Sequence, residues 1–369
     1  MTQPLAGITV LDFTTLLPGP LATLMLAEAG AEVIKIERPG GEELRRHPPH
    51  IDGESTVYAL LNRGKKSLVI DLKAPDAGAR LAPLVARCDV LVEQFRPGVM
   101  ARLGLGYEAV KAVNPRVVYC AITGYGQDGP RRDEAGHDLN YIAATGLLAL
   151  SPGPADRPTV PPALIADIGG GSMPAVMNIL LGLRRRDTTG EGCFIDIAMA
   201  DAMFTFGWHA LASGFAERWF PGPGAARLTG GSPRYRLYPT RDGKLVACAA
   251  LEQKFWLAFC AAIGLAGPLV DDRPDAAATA TAVAAIVASR TADEWRPLLA
   301  AADCCATIVT PLEQAVADPH FVGRGLFAHK VVTPNGTAMP ALPVPIDPGF
   351  RTAPRTVAAL RPGADDGMG

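Results

Sequence analysis

Residues 8–37 read ITVLDF TTLLPGP LATLMLAEAGA EVIKIE, and this stretch decides the fold class. Ile8 to Phe13 is a short apolar run with a β-branched start, the signature of a strand. Leu17-Pro-Gly-Pro20 breaks it. Leu21 to Ala29 has helix-forming composition and is closed by Gly30. Glu32 to Glu37 is a second strand, stopped by Arg38-Pro-Gly-Gly41. The result is a strand–helix–strand unit.

The same alternation continues outward. Ser67 to Leu72, Val90 to Glu93 and Arg116 to Ile122 read as strands, the last ending at Gly124-Tyr-Gly126. Ala77 to Ala86 and Met100 to Val113 read as the helices between them. Apolar runs without clean alternation imply strands buried on both faces, hence a mostly parallel sheet covered by helices. In such α/β folds ligands bind beyond the carboxyl ends of the strands. Arg38, Arg96 and Gly124 all follow strands directly.

Residues 137–215 read as mainly helical, with long apolar stretches at Met173 to Leu183 and Ile197 to Ala212. Phe220-Pro-Gly-Pro-Gly224 is a breaker cluster. Beyond it, Arg234 to Pro239 and Lys244 to Ala250 are strands around a turn at Arg241-Asp-Gly243. Helices are expected at Lys254 to Ile263, Ala276 to Ser289 and Ala292 to Ala301. The expected organisation is a large domain over 1–215, with 315–369 packing back onto it. A linker at 216–224 leads to a smaller α+β domain at 225–314.

A chain of 369 residues exceeds one ordinary core. Its 49% hydrophobic and 20% charged residues are those of a folded protein. A net charge of -2 gives no reason to expect nucleic acid or a membrane surface as partner, so an anionic ligand needs a local basic site. The seven cysteines lack a C-x-x-C pair and sit mostly in apolar runs, as reduced core residues of a cytoplasmic protein would. Met1 to Gly7 carries no signal-peptide pattern, and no apolar run is long enough to span a bilayer.

Asp167-Ile-Gly169-Gly170-Gly171-Ser is the most pointed local signal. A carboxylate precedes three glycines that open an apolar helix. Glycines let backbone N–H groups gather in one concavity, suited to an enolate or tetrahedral oxyanion. A plain helix N-cap reads the same letters equally well. Gly136-His137-Asp138-Leu139-Asn140-Tyr141 clusters ionisable groups beside a glycine, and histidine is the natural acid–base near neutral pH. Its bland alternative is a surface loop whose Asp138 caps a helix. Glu252 ends an apolar strand and precedes a helix. Met203, Phe204, Phe206 and Trp208 would meet an acyl group or, as core packing has it, one another. Arg38, Lys65, Lys66, Lys73, Arg96 and Arg102 fall at element ends, where phosphates are gripped but solvated charges are also common. No phosphate loop, dinucleotide fingerprint, nucleophile elbow or metal-ligand spacing is present in the sequence.

Several segments together resemble a known family. Pro4-Leu-Ala-Gly-Ile-Thr-Val-Leu-Asp12 with Leu17-Pro-Gly-Pro20 resembles the start of family III CoA-transferases. So do Val33-Ile-Lys-Ile-Glu-Arg-Pro39, Asn62-Arg-Gly-Lys-Lys-Ser-Leu68, Phe95-Arg-Pro-Gly98, Gly124-Tyr-Gly126 and Asp196-Ile-Ala-Met199. Gly136 to Tyr141, Thr229-Gly-Gly-Ser-Pro-Arg-Tyr235 and Glu252 before Phe255 look more like its racemase branch. The resemblance implies a Rossmann-like large domain, a smaller second domain and an interlocked homodimer. It implies that His137 and Asp167 exchange protons with an acyl-CoA thioester while Glu252 orients His137. It assigns coenzyme A to Arg38, Ile70-Asp71-Leu72-Lys73, Arg96 and Gly136 to Tyr141, with no cofactor beyond that moiety of the substrate. In the racemase branch an asparagine stands four residues before the aspartate; here that position is Ala163. In the transferase branch the aspartate is instead a nucleophile that forms an acyl anhydride. A CoA-binding subunit without turnover is a third reading, but binding alone requires no His137, Asp167 and Glu252 together.

Overall fold

The computed structural model describes residues 3–151, 153–154 and 156–367. Met1 and Thr2, the start of the stretch searched for a leader, lie outside them. By internal contact the chain divides into two compact units, one of 1–145, 162–205 and 320–369 and one of 146–161 and 206–319.

The first unit is built on a six-stranded sheet whose strands are all parallel. In chain order they are β1 (Thr9–Asp12), β2 (Glu32–Glu37), β3 (Lys66–Val69), β4 (Val90–Glu93), β5 (Val118–Thr123) and β6 (Cys193–Ala198). Their spatial order is β3-β2-β1-β4-β5-β6, the doubly wound order of a dinucleotide-type fold. The order reverses between β1 and β4, so a crevice opens beyond the carboxyl ends of those two strands, the usual place for ligands in such sheets. All four residues of β4 and all six of β5 are buried. That is why they read as continuous apolar runs. Leu11, Leu91, Tyr119, Leu81 and Leu84 share one core between the sheet and a covering helix at Ala77–Arg87.

Helix α1 spans Pro18–Glu28. It begins earlier than the expected Leu21, because proline fits the first helical turn, where no N–H is needed. The expected helix at Met100 to Val113 is two, Val99–Arg102 and Tyr107–Val113. Gly104 between them takes φ +73, and a Cβ on Gly106 would lie 2.9 Å from the Ala101 backbone. β6 is a strand within 137–215, a stretch expected to be mainly helical. As the edge strand it is only partly buried, and its Ile197-Ala198 merges in sequence with the apolar helix that follows. Residues 330–332, 338–340 and 356–358 form a small extra sheet in this unit. Beyond it, Asp365 and Asp366 accept hydrogen bonds from Ser67 and Val69 on the free edge of β3 (2.9 and 2.8 Å). These two bonds tie the end of the chain to that strand edge.

The second unit has an antiparallel sheet of Tyr235–Pro239, Leu245–Ala249 and Ala306–Ile308. Helices Gln253–Ile263, Ala276–Val287 and Ala292–Ala302 close over it around Trp256, Phe259 and Trp295. It reaches further back in sequence than the expected start at 225, because helix Trp208–Glu217 clusters with it. Core packing holds for Met203, which is buried, but Phe204, Phe206 and Trp208 are 50%, 48% and 61% exposed. Five cysteines are buried, Cys193 is half-buried and Cys305 exposed, and none of the seven is paired. Among the described residues no helix is long and apolar enough to cross a membrane.

Candidate functional site

Two adjoining pockets open at the carboxyl ends of the strands. The larger, about 800 Å³, is walled by Phe13, Ile36, Ile70, Leu72, Val99 and Leu103 and rimmed by Arg38, Lys73 and Arg102. The smaller, about 420 Å³, holds Arg96, Gly136, His137, Asn140, Tyr141 and Asp167. Leu16 and Phe95 line both. They follow β1 and β4, the two strands that flank the switch point.

The turn after β1 is held from below by buried charge. Asp12 accepts from the backbone and hydroxyl of Thr14 (2.9 and 2.5 Å), from Thr23 (2.6 Å) and from Lys65 (3.0 Å). Burial would raise its carboxyl, but Lys65, Lys35 and the two hydroxyls outweigh that and hold it far below the usual range. Burial lowers Lys65 to about 8 despite Asp12. Lys35 donates to the Thr14 carbonyl (2.8 Å) and pairs with Glu42 (2.7 Å). On this frame Leu16 is kept at φ +60, a left-handed conformation uncommon for a bulky residue. The turn after β4 is held in a similar way. Glu93 accepts from the N–H of Phe95 (2.7 Å), and burial, with a smaller push from Asp196, raises its carboxyl to about 7.

The smaller pocket takes its chemistry from two helix starts. Helix α2, Asp138–Ala144, has His137 as its extended N-cap residue, and the His137 N–H donates to the Asn140 side chain (3.0 Å). Tyr141 donates to the Gly136 carbonyl (2.5 Å), which closes the loop. Asp138 is buried behind His137 and accepts from the backbone N–H of Asp167 (2.9 Å), joining the two motifs. Asp167 lies in a π-helical turn, Ala166–Ser172, that runs into helix α3, Met173–Thr189. Burial, then the Asp138 charge, raises the Asp167 carboxyl to about 6, while His137 lowers it. A carboxyl poised there is suited to giving or taking a proton near neutral pH.

The glycines after Asp167 do another job than the expected anion concavity. None of Gly169, Gly170 and Gly171 has positive φ. A Cβ on Gly170 would meet the Met199 carbonyl at 2.5 Å, and one on Gly171 would meet Pro18 at 3.0 Å. Gly170 and Gly171 let this turn press against Met199 and Pro18, and no left-handed nest forms.

The residues read from sequence are therefore distributed as follows. Arg38, Ile70, Asp71, Leu72 and Lys73 line the larger pocket, and Arg96, Gly136, Asn140 and Tyr141 join His137 and Asp167 in the smaller. Asp138 sits behind them. Leu139 is 42% exposed and lines neither. Glu252 stands in the second unit, exposed, at the N-cap of helix Gln253–Ile263. The sequence reading passed over Phe13, Leu16, Val99 and Leu103 as lining residues. Three of them look like ordinary core, and no letter announces a left-handed leucine.

Comparison with known proteins agrees with this architecture. Residues 5–365 match the family described as CoA-transferase family III. Human α-methylacyl-CoA racemase is 34% identical over 362 residues, covering 95% of this chain and 90% of that protein. Human succinyl-CoA:glutarate CoA-transferase is 38% identical, over 69% of this chain and 58% of its own. The crystal structure of Rv3272 from Mycobacterium tuberculosis (a mutant form) superposes with a TM-score of 0.84 at 29% identity. It covers 99% of this chain and 98% of its own. The match over residues 5–365 and the identity to these relatives make the chain a member of CoA-transferase family III, whose enzymes include both racemases and CoA-transferases.

Proposed function

We propose that this enzyme inverts the α-carbon of 2-methylacyl-CoA thioesters by two-base proton transfer. The observation that carries the reading is that His137 and Asp167 line one cleft with the Asp167 carboxyl near 6. The coenzyme A moiety would lie across the larger pocket. Its adenine would rest among the apolar walls and its phosphates would meet Arg38, Lys73 and Arg102. The thioester would then reach past Leu16 and Phe95 into the smaller pocket. Ionised Asp167 takes the α-proton from one face, and the C–H electron pair moves into the thioester carbonyl as an enolate. Protonated His137 returns a proton to the opposite face. The two residues exchange roles for the other enantiomer.

A second reading has a specific observation behind it: Ala163, exposed, stands where the racemase branch carries asparagine. Without that partner Asp167 would serve as a nucleophile. Its carboxylate would attack the thioester carbonyl, forming a C–O bond as the C–S bond breaks, and leave an acyl-aspartyl anhydride and the CoA thiolate. The thiolate would attack the aspartyl carbonyl of the anhydride, releasing the first acid as its carboxylate and leaving a CoA thioester on Asp167. An acceptor carboxylate would displace the thiolate to form a second anhydride, whose acyl carbonyl the thiolate attacks, giving the new acyl-CoA and free Asp167. Turnover measured with and without an added carboxylic acid separates the readings. The racemase needs no acid; the transferase requires one, and hydroxylamine traps its acyl group on Asp167.

The enzyme is further proposed to be a cytoplasmic homodimer. α3 buries Ala175, Val176, Ile179 and Leu183 on one side yet exposes Met173, Met177, Leu180 and Leu181 on the other. A second copy would cover that stripe. Light scattering that finds a stable folded monomer on dilution would exclude the dimer.

A further inference from the structure

The start of α1, whose Pro18 lines the smaller pocket, has an unusual shortage of donors. Of its first three residues, Pro18, Gly19 and Pro20, only Gly19 has a backbone N–H. That N–H donates to the side-chain oxygen of Gln94 (3.0 Å). Gln94 lines the smaller pocket, between Glu93, which holds the turn, and Phe95, which lines both pockets. On its other side, the carbonyl of Pro18 accepts from the Ser172 hydroxyl (2.7 Å). Ser172 is fully buried and closes the π-helical turn of Asp167, whose own carbonyl lies 3.2 Å from the same hydroxyl. Gly19 and Gly171 make this junction tight. A Cβ on Gly19 would fall 2.2 Å from Thr14, and one on Gly171 would fall 3.0 Å from Pro18.

We propose that Gln94 and Ser172 are positioning residues for Asp167, tying it through the first turn of α1 to the turn that both pockets share. Neither does chemistry. Gln94 fixes the helix start to the β4 turn, and Ser172 seats the Asp167 turn on that helix start. A ligand that packs on Leu16 and Phe95 thereby meets Asp167 at a set distance from its reacting carbon. Displacements of about 1 Å in such an arrangement cost up to ~10²-fold in rate. The proposal rests on Asp167 being the reacting group, which both readings above share.

The test uses the full-length enzyme and whichever acyl-CoA reaction the wild type catalyses, α-proton exchange or acid-dependent transfer. Ser172→Ala removes one buried hydroxyl that touches neither pocket. It should lower kcat roughly 10-fold, the size of one lost hydrogen bond acting on the transition state. KM and the calorimetric affinity for free coenzyme A should stay within about two-fold of wild type. Gln94→Leu should lower kcat by a similar factor. Gln94→Glu, which keeps an acceptor for Gly19, should recover most of the loss. In Gln94→Leu/Ser172→Ala the two losses should fall well short of multiplying, because each cuts the same tie. Wild-type kcat in Ser172→Ala, or losses that multiply, would overturn the proposal. So would equal losses in coenzyme A affinity and kcat, the pattern of general loosening. A wild type with neither reaction would instead overturn the functional reading.

Discussion

The two pockets share a rim but are built on different principles. The larger is made by the sheet. Its walls follow β1, β2, β3 and β4, and its residues point where strand ends and the switch point send them. The smaller is made by helix starts and loops, and its chemistry depends on where two short segments, His137–Tyr141 and Ala166–Ser172, come to rest. Under the proposed function, many contacts in the first would share a long ligand, so that no single residue carries its binding, whereas in the second one displaced carboxylate would end the reaction. Substitutions should therefore cost binding modestly in the larger pocket and rate severely in the smaller.

The contrast is largest at Asp167. Asp167→Asn should abolish steady-state turnover under either reading, with a loss of at least the ~10²–10⁴-fold of a general acid–base, while coenzyme A still binds. Loss of binding together with turnover would break the division between the pockets. His137→Ala should follow, with a ~10²–10⁴-fold drop in α-carbon inversion. Acceptor-dependent transfer undiminished in that variant would show the smaller pocket to be a nucleophile site alone. In the larger pocket Arg38→Ala should weaken acyl-CoA binding roughly 10- to 100-fold, as for a lost hydrogen bond to a charged group. Unchanged affinity in calorimetry would remove Arg38 from the site.

The smallest expected effect is a displacement in pH. Asp167 titrates near 6, above its ordinary value of 3.8, chiefly by burial and then by the charge of Asp138. Turnover that uses its ionised form should therefore fall as pH drops through about 6. Asp138→Asn removes the like charge but keeps an acceptor for the Asp167 N–H, so the acidic limb should move to lower pH while burial keeps part of the shift. For stability the sign is the opposite of a salt-bridged carboxylate. Between the unfolded value of 3.8 and about 6 the folded state binds the proton better, so ionisation of Asp167 costs stability as pH rises through that window. An acidic limb unmoved in Asp138→Asn would separate Asp138 from the Asp167 titration.

The same contrast governs how much was legible beforehand. Strand ends announce themselves through apolar runs cut by Arg-Pro-Gly, so Arg38 and Arg96 could be placed just beyond strand ends from pattern, and Lys73 from resemblance. Leu16 carries no such mark, since a left-handed turn imposed by buried Asp12 and Lys35 is a tertiary product. Asp167 and His137 were visible as motifs, but the use of the glycines was not. Close packing on Pro18 and Met199 and an anion nest ask for the same letters. β6 escaped because an edge strand, half-exposed and followed at once by helix, has neither the continuous run of β5 nor clean alternation. Glu252 belongs to the second unit, and no local pattern in either segment links it to His137.

The central claim is that the smaller pocket moves a proton at carbon. Its most direct test is to incubate the wild-type enzyme with a 2-methylacyl-CoA in deuterium oxide, with no carboxylic acid added, and follow the α-position by mass spectrometry or proton NMR. The account predicts that deuterium enters the α-position and that both enantiomers of the starting thioester converge on one mixture. An α-proton that persists without exchange, with turnover arising only when an acid acceptor is supplied, would contradict it.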